Sequence, residues 1–382
     1  MRILHTSDWH VGKVLKGQSR VDDQLAALAA VVDVAKAEQP DLVIVAGDLY
    51  DSSSPTADAT RIVTRALSAL RATGADVVAI AGNHDNGAAL DALRVWADAA
   101  GITLRGSLRS AADLVIRGRT AGGEEWRLAA LPFVSQRYAI RATEMFELTS
   151  AEATQTYADH IGRLLGALTG DFADDTVNLI TAHLTVIGGR TGGGERDAHT
   201  IMGYAVPSAV FPTTAHYVAL GHLHRPQQVH GPCPIRYSGS PLAVDFGEEE
   251  NIASVCLVEV TADTAAKIRE VPITAGTPLR TVRGTVAELA TMDPGDAWLR
   301  VYVAEPPRAG LREEVQGLLP RALEVRIDPR LLPDPALSER SAIGHTGRSP
   351  GDLFADYLTQ RGHADPATVE LFHRLHDEVS TG

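Results

Sequence analysis

Short apolar runs and longer amphipathic ones alternate along the first hundred residues. Ile3 to Thr6, Leu42 to Ala46 and Val77 to Ala81 are apolar and β-branched, and each gives way to a loop of Gly, Asp, Ser or Asn. Strands covered on both faces read this way. Between them Arg20 to Glu38, Ala57 to Ala72 and Ala88 to Ala99 are longer and amphipathic. The alternation predicts βαβ units and a parallel, helix-covered sheet. From Leu114 to Phe133 the pattern changes to two strands around a Gly-rich turn, and Ser150 to Leu168 reads as a helix. Val177 to Ala182, Tyr217 to Leu220, Ile235 to Tyr237, Ser254 to Val260 and Lys267 to Val271 then suggest a more β-rich second half.

The segment 274-TAGTP-278 reads as a boundary, which closes a first domain at residues 1–275. Residues 276–335 form a small unit of strands and helices, punctuated by Pro306, Pro307, Pro320 and Pro329. Residues 336–382 read as a polar linker and a tail of two helices. In 349-SPGD-352, Ser349 suits the N-cap, Pro350 the first helical position and Asp352 the third. Leu353, Phe354, Tyr357 and Leu358 follow, and a second helix from 365-DP-366 carries Val369, Phe372 and Leu375.

A chain of 382 residues accommodates two or three such units. No apolar run approaches the ~18 residues a membrane span needs, and the strand-like start leaves no room for a leader, so a cytoplasmic protein without a membrane partner is expected. The net charge of -13 argues against wrapping nucleic acid by bulk electrostatics. The small unit repeats the point with eight Arg, no Lys and nine acidic residues, so Arg280, Arg283 and Arg300 read as scattered surface charge. Cys233 and Cys256 match no zinc or redox spacing and are expected to be inert.

Chemistry concentrates where the first three strands end: 8-DWH-10, 47-GDLYD-51 and 82-GNHD-85. In a parallel sheet the carboxyl ends of all strands share one edge, so Asp8, Asp48 and Asn83 should meet. In extended chain, residues two apart point the same way, so Asp8 and His10 can both face the cluster while Trp9 turns aside. Two later pieces, 181-TAHL-184 and 219-ALGHLH-224, add His183, His222 and His224. A lone histidine at a strand end is more often structural than a ligand. Three strand-end carboxylate and amide motifs together are not the same case, because buried Asp is rarely tolerated without partners. One metal could not use Asp8, His10, Asp48, Asn83, His183, His222 and His224 and still admit substrate. Two metals sharing a carboxylate could, roughly 3.5–4 Å apart, and would clamp an in-line displacement at phosphorus. Imidazole, carboxylate and amide oxygen without thiolate suit Mn²⁺ or Fe²⁺ better than structural zinc. The Gly-rich 188-GGRTGGGE-195 lacks the ending of a nucleotide P-loop and reads as a mobile loop beside the site, with Arg190 and Arg196 as candidate substrate contacts.

These five blocks resemble the Dx[HN], GDxxD, GNH[DE], H and GHxH series of the calcineurin-like metallophosphoesterases, over about the first 250 residues. The resemblance implies an α/β fold, a β-sandwich of mixed sheets flanked by helices. It implies that Asp48 bridges two metals, one also held by Asp8, His10 and His224 and the other by Asn83, His183 and His222. It also implies a catalytic pair: His84 as general acid toward the leaving oxygen, with Asp85 orienting it. Protein phosphatases of this type look like GDxVDRG, and 47-GDLYDSSSP-55 lacks the arginine.

The stretches 4-LHTSDWHVGK-13, 217-YVALGHLHRPQ-227 and 237-YSGSPLAVDFGE-248 are instead similar to the SbcD-type nuclease subunits. That likeness implies manganese-dependent 3′-to-5′ double-strand exonuclease and single-strand endonuclease activity on DNA, in repair and recombination. It implies a small α+β capping domain and a C-terminal helical tail that docks an SbcC-like coiled-coil ATPase, with a homodimer inside a heterotetramer. A small-molecule phosphodiesterase, for example of cyclic nucleotides, is the second reading. A scaffold that has lost catalysis is the third, and the retention of every candidate ligand speaks against it.

Overall fold

The computed structural model describes residues 1–135, 150–195 and 204–331, and beyond them residues 354–355, 357–359, 365–366 and 368–372. Arg196, the linker near 338–347 and most of the expected terminal helices lie outside the described residues. Residues 1–302 with 309–326 form one compact unit, and residues 303–308 with 327–382 a second.

The first unit is built on two six-stranded sheets. One runs in the order Thr264–Pro272, Ser254–Thr261, Arg2–Thr6, Leu42–Val45, Asp76–Ile80, Ile102–Arg105, and its last four strands are parallel. The other runs Gln227–Val229, Ile235–Tyr237, Tyr217–Gly221, Val177–His183, Glu125–Leu131, Val115–Arg119, with four parallel strands at its centre and an antiparallel strand at each edge. The sheets pack face to face. The expectation of mixed sheets flanked by helices is met.

The apolar runs follow from this layering. In Leu42–Val45, Val43 and Val45 join the cluster beneath the helices Val21–Glu38 and Ala57–Arg71. Leu42 and Ile44 point the other way, into a second cluster with Leu128, Leu179 and Ala219 of the opposite sheet. The period of two therefore sorts one run between two cores, and neither face reads as polar. On the far side Tyr157, Ile161, Leu165 and Leu168 of Ser150–Thr169 cover the second sheet. Thr56 caps Ala57–Arg71 by accepting the amide of Ala59 at 3.2 Å. The amphipathic run expected at 88–99 is two helices, Gly87–Ala92 and Arg94–Ala99, because Leu93 bonds back to Leu90 as a tightened last turn.

Residues 279–327 add a three-stranded sheet, Leu279–Gly284, Trp298–Val303 and Ala322–Ile327, with helices Val286–Ala290 and Leu311–Leu318. Thr285 and Glu288 form a capping box on the first of these helices. Leu15, Phe246 and Leu279 make a shared apolar cluster, with Trp298 and Leu323 packed on it. The Arg20 guanidinium donates to the carbonyls of Ala243 and Thr277, and Arg300 donates to Phe246 O at 3.2 Å. Arg283 and Arg300 both lie over the Tyr302 ring, whereas Arg280 donates to Pro294 O. Among the described residues no helix is long and apolar enough to cross a membrane, and both cysteines are free thiols.

Candidate metal centre

Loops leaving the carboxyl ends of strands in both sheets converge on one buried cluster. Asp8, His10, Asp48, His183, His222 and His224 are all buried. Asp8, His10 and His224 present donor atoms within 4.8 Å of one another. Asn83 Oδ1 lies 2.9 Å from His183 Nε2 and 2.8 Å from His222 Nδ1. Asp48 stands between the two groups, its Oδ2 being 3.6 Å from His10 Nε2 and 3.4 Å from His183 Nε2. All seven residues expected at the centre are thus brought together.

The route by which they meet differs from the expected alternation. The first strand ends at Thr6, and both Asp8 (φ 55°) and His10 (φ 46°) sit in the left-handed region. Asp48 (φ 51°) and His222 (φ 103°) share that strain. A left-handed residue turns the chain at once, so adjacent loops aim side chains that a strand would send to opposite faces. Trp9 does turn aside, into the core, with its ring N–H on Thr6 Oγ1. The glycines answer a lack of space. A Cβ on Gly47 would meet His183 Nδ1 at 2.3 Å, and one on Gly82 would meet Asp48 Oδ1 at 2.2 Å.

Hydrogen bonds at the back of the imidazoles set which nitrogen faces inward. His183 Nδ1 donates to Ala46 O at 2.8 Å, and His224 Nδ1 donates to Glu248 Oε1 at 2.5 Å. Each then offers Nε2 to the cluster, which is how ligating histidines are oriented. In this protonation state His183 Nε2 needs a second proton to reach Asn83 Oδ1, whereas the 3.0 Å contact of His224 Nε2 with His10 Nε2 takes its proton from either ring. Electrostatics agree. Burial works against charge on His183, but Asp48 outweighs it and raises the ring to about 9. Burial likewise opposes charge on His224, and Glu248 raises it to about 10. Burial pushes Asp8 up to about 6 and His10 down to about 4. Burial would also raise Asp48, yet His183 and His10 hold it well below the usual carboxylate range.

The raised His183 and His224 rings thus favour positive charge where cations would balance Asp8 and Asp48. His10 Nδ1 makes no hydrogen bond and lies 3.5 Å from Asp51 Oδ1, so Nε2 is the atom that His10 turns to the cluster. The set of imidazole, carboxylate and amide oxygen, in two groups joined by one aspartate, fits a pair of divalent metals.

His84 lies against this cluster. Its amide donates to Asp48 Oδ1 at 2.8 Å, its ring is 4.6 Å from that of His10, and its Nδ1 faces Asp51 O at 2.9 Å. The acceptor expected from Asp85 thus comes from Asp51. Asp85 instead accepts the amides of Leu49, Tyr50 and Gly82, tying the second block to the third, because its short side chain meets those amides first. Burial and the charge of Asp48 raise Asp85 to about 7.

Sequence reasoning misses Asp51, which sits 3.5 Å from His10 Nδ1 and pairs with Lys13 at 3.2 Å. It closes the second block, and its place in that motif is the available signal. Glu248 and Glu195 carry no such signal. Glu195 accepts the amides of Gly192, Gly193 and His224 and so pins the Gly-rich loop, expected to be mobile, beside His224. A Cβ on Gly194 would meet Glu248 Oε1 at 2.0 Å, so these glycines serve close packing. Arg190 is exposed, its backbone paired with the Gln227 side chain.

The family model for calcineurin-like phosphoesterases matches residues 1–226. The chain is similar to the SbcD component of nuclease SbcCD from Bacillus subtilis (strain 168), 34% identical over 325 residues that cover 82% of this chain and 81% of the relative. It is similar also to the SbcD component of nuclease SbcCD from Escherichia coli (strain K12), 30% identical over 313 residues, covering 80% and 76%.

Proposed function

The chain belongs to the calcineurin-like phosphoesterase family, in the branch of the SbcD nucleases, and from that premise we propose that it hydrolyses DNA phosphodiesters with two divalent metals, Mn²⁺ first among them. The observation that carries the reading is Asp48, a buried carboxylate shared between two groups of imidazole, carboxylate and amide donors. Asp8, His10 and His224 would hold one metal, and Asn83, His183 and His222 the other. Bound there, two metals would supply Lewis acidity at the phosphoryl group and positive charge against the developing negative charge. They also offset local acidity, which lets a chain of net charge -13 seat a phosphodiester.

The protein's own part is positioning and proton transfer. Asp51 O holds the His84 ring through Nδ1, so in the imidazolium form Nε2–H is the proton offered to the departing alkoxide. Asp85 keeps the second and third blocks in register and thereby sets the distance between Asp48 and His84. The proposal includes the division into a nuclease domain (1–275), a cap over 276–335 and a linker and docking tail over 336–382. It includes an SbcC-like ATPase as partner, and a homodimer within that assembly.

Digestion of an end-labelled duplex in Mn²⁺, by the chain alone and with the coiled-coil ATPase and ATP, tests the reading. His84→Ala should lower the rate by ~10²–10⁴-fold while bound metal persists. Absence of digestion under both conditions, with cleavage of cyclic nucleotides, would replace DNA by a small phosphodiester as substrate.

A further inference from the structure

Beside the centre, at the same carboxyl edge of the first sheet, lies a second concavity of about 480 Å³, a size within the range of small-ligand pockets. Three loops wall it: the one following Leu42–Val45 through Ser53, the one following Asp76–Ile80 through Gly82 to Ala88, and the one following Ile102–Arg105 through Gly106 to Leu108. Phe133, Val134 and Ser135 complete the lining.

The pocket is a built feature. A Cβ on Gly87 would stand 2.2 Å from Gly106 O, and one on Gly106 would stand 2.0 Å from Gly87 O, so two loops meet backbone to backbone along one wall. Its wall also backs onto the centre. The Phe133 ring is 6.3 Å from that of His183 and 6.5 Å from that of His222, while Gly82 and Asp85 flank Asn83 and His84 directly.

Among the described residues the lining carries no Lys, Arg or His, and its one ionisable group, Asp85, has both oxygens occupied by backbone amides. A phosphate would find no counter-charge here. What the lining does offer is an aromatic ring, the apolar Leu108 and Val134, and the small polar side chains of Ser53, Asn86, Ser107 and Ser135. An uncharged planar heterocycle with hydrogen-bonding edges matches that mixture. By contrast, the cleft of about 490 Å³ around Arg2 and Lys267 lies at the opposite edge, and its Arg2 is already paired with Glu259.

We propose that the pocket between Gly82–Ala88, Gly106–Leu108 and Phe133–Ser135 is a nucleoside subsite, taking the base and sugar next to the phosphate held at the centre. This rests on the phosphodiesterase reading above. It makes the enzyme recognise an unstacked nucleoside beside the scissile bond, and so favours frayed ends and single strands over intact duplex.

The test is binding of adenosine and thymidine, which lack phosphate, to the Mn²⁺-supplemented full-length chain by saturation-transfer NMR. Wild type should bind saturably. Ser107→Leu and Ala88→Leu, which fill the pocket from different loops, should each weaken binding by roughly tenfold or more at an unchanged melting temperature. If one variant unfolds, the other still reports. No saturable binding to wild type, or equal binding by the folded variants, overturns the subsite. Diester hydrolysis without nucleoside binding sinks the subsite alone. Nucleoside binding that the variants lose, without diester hydrolysis under any metal, keeps the subsite and sinks the nuclease reading.

Discussion

Glu248 lies 24 residues beyond His224 in sequence, yet its carboxylate holds that ring by Nδ1 and its other oxygen accepts the amide of Val244. Nothing in the run 244-VDFGEEE-250 distinguishes it from its acidic neighbours, and only burial within the fold does. The charge of Glu248 is what raises His224 to about 10, and Asp48 raises His183 to about 9. The sign follows directly. Below those values both rings are protonated, and a metal must displace one proton at His224 and one at His183. Metal affinity at each site should therefore climb about tenfold per pH unit from pH 6 to 9. Calorimetric titration of Mn²⁺ at pH 7 in buffers of different ionisation enthalpy should report a proton released per metal; heats independent of buffer would contradict the protonated rings. Glu248→Gln keeps an acceptor for Nδ1–H but removes the charge. It should abolish the release at one site and lower turnover roughly 10–100-fold, because without the carboxylate charge behind it the ring is a weaker donor to a metal.

Most of the longer strands and helices are legible in the apolar pattern, because the period of each element is imposed by its own backbone. The short strands Ile102–Arg105 and Gln227–Val229 are too brief to show a period and are not expected from it. Strand pairing is not legible either. Leu42–Val45 reads as one continuous apolar run, and only the fold assigns its alternate residues to two different cores. The centre is legible for the same reason that it is strong: Asp8, Asp48 and Asn83 each follow a strand within a few residues. The left-handed turns at Asp8 and His10 leave no such trace, nor does the contact of Gly194 with Glu248, made across the fold. His5 carries no motif and no role that the chain's pattern reveals. It joins the sheets, its Nδ1 meeting Tyr217 OH at 2.9 Å and its Nε2 meeting Leu220 O at 3.1 Å. Burial lowers it from 6.5 to about 3. Between those values the unfolded chain holds a proton the folded one refuses, so stability falls as pH drops, by about 1.4 kcal/mol per unit for one site. His5→Gln should flatten the urea-unfolding free energy between pH 6 and 4 by about that slope relative to wild type. Parallel curves for the two proteins would remove His5 from the account.

On the scale of the whole molecule, the centre and the proposed partner contact fall at opposite ends of the chain. The centre is complete within residues 8–248, whereas the proposed docking tail begins at 349, across a linker outside the described residues. Phe354 and Phe372 stack at 4.3 Å with their planes 16° apart, so the two terminal segments meet through apolar rings, while Tyr357 and Leu371 beside them are about half exposed. Paired helices with large apolar side chains turned outward are what a partner helix would bind. Deleting residues 349–382 should therefore abolish binding of the coiled-coil ATPase in a pull-down while hydrolysis of a small phosphodiester in Mn²⁺ stays within about twofold, since independent sites act additively. Tyr357→Glu with Leu371→Glu should weaken the same binding by more than about tenfold, because each puts a charge where apolar surface is to be buried. Retained binding by the deletion would move the docking surface into residues 1–348, and lost hydrolysis would mean that the tail supports the centre rather than a partner.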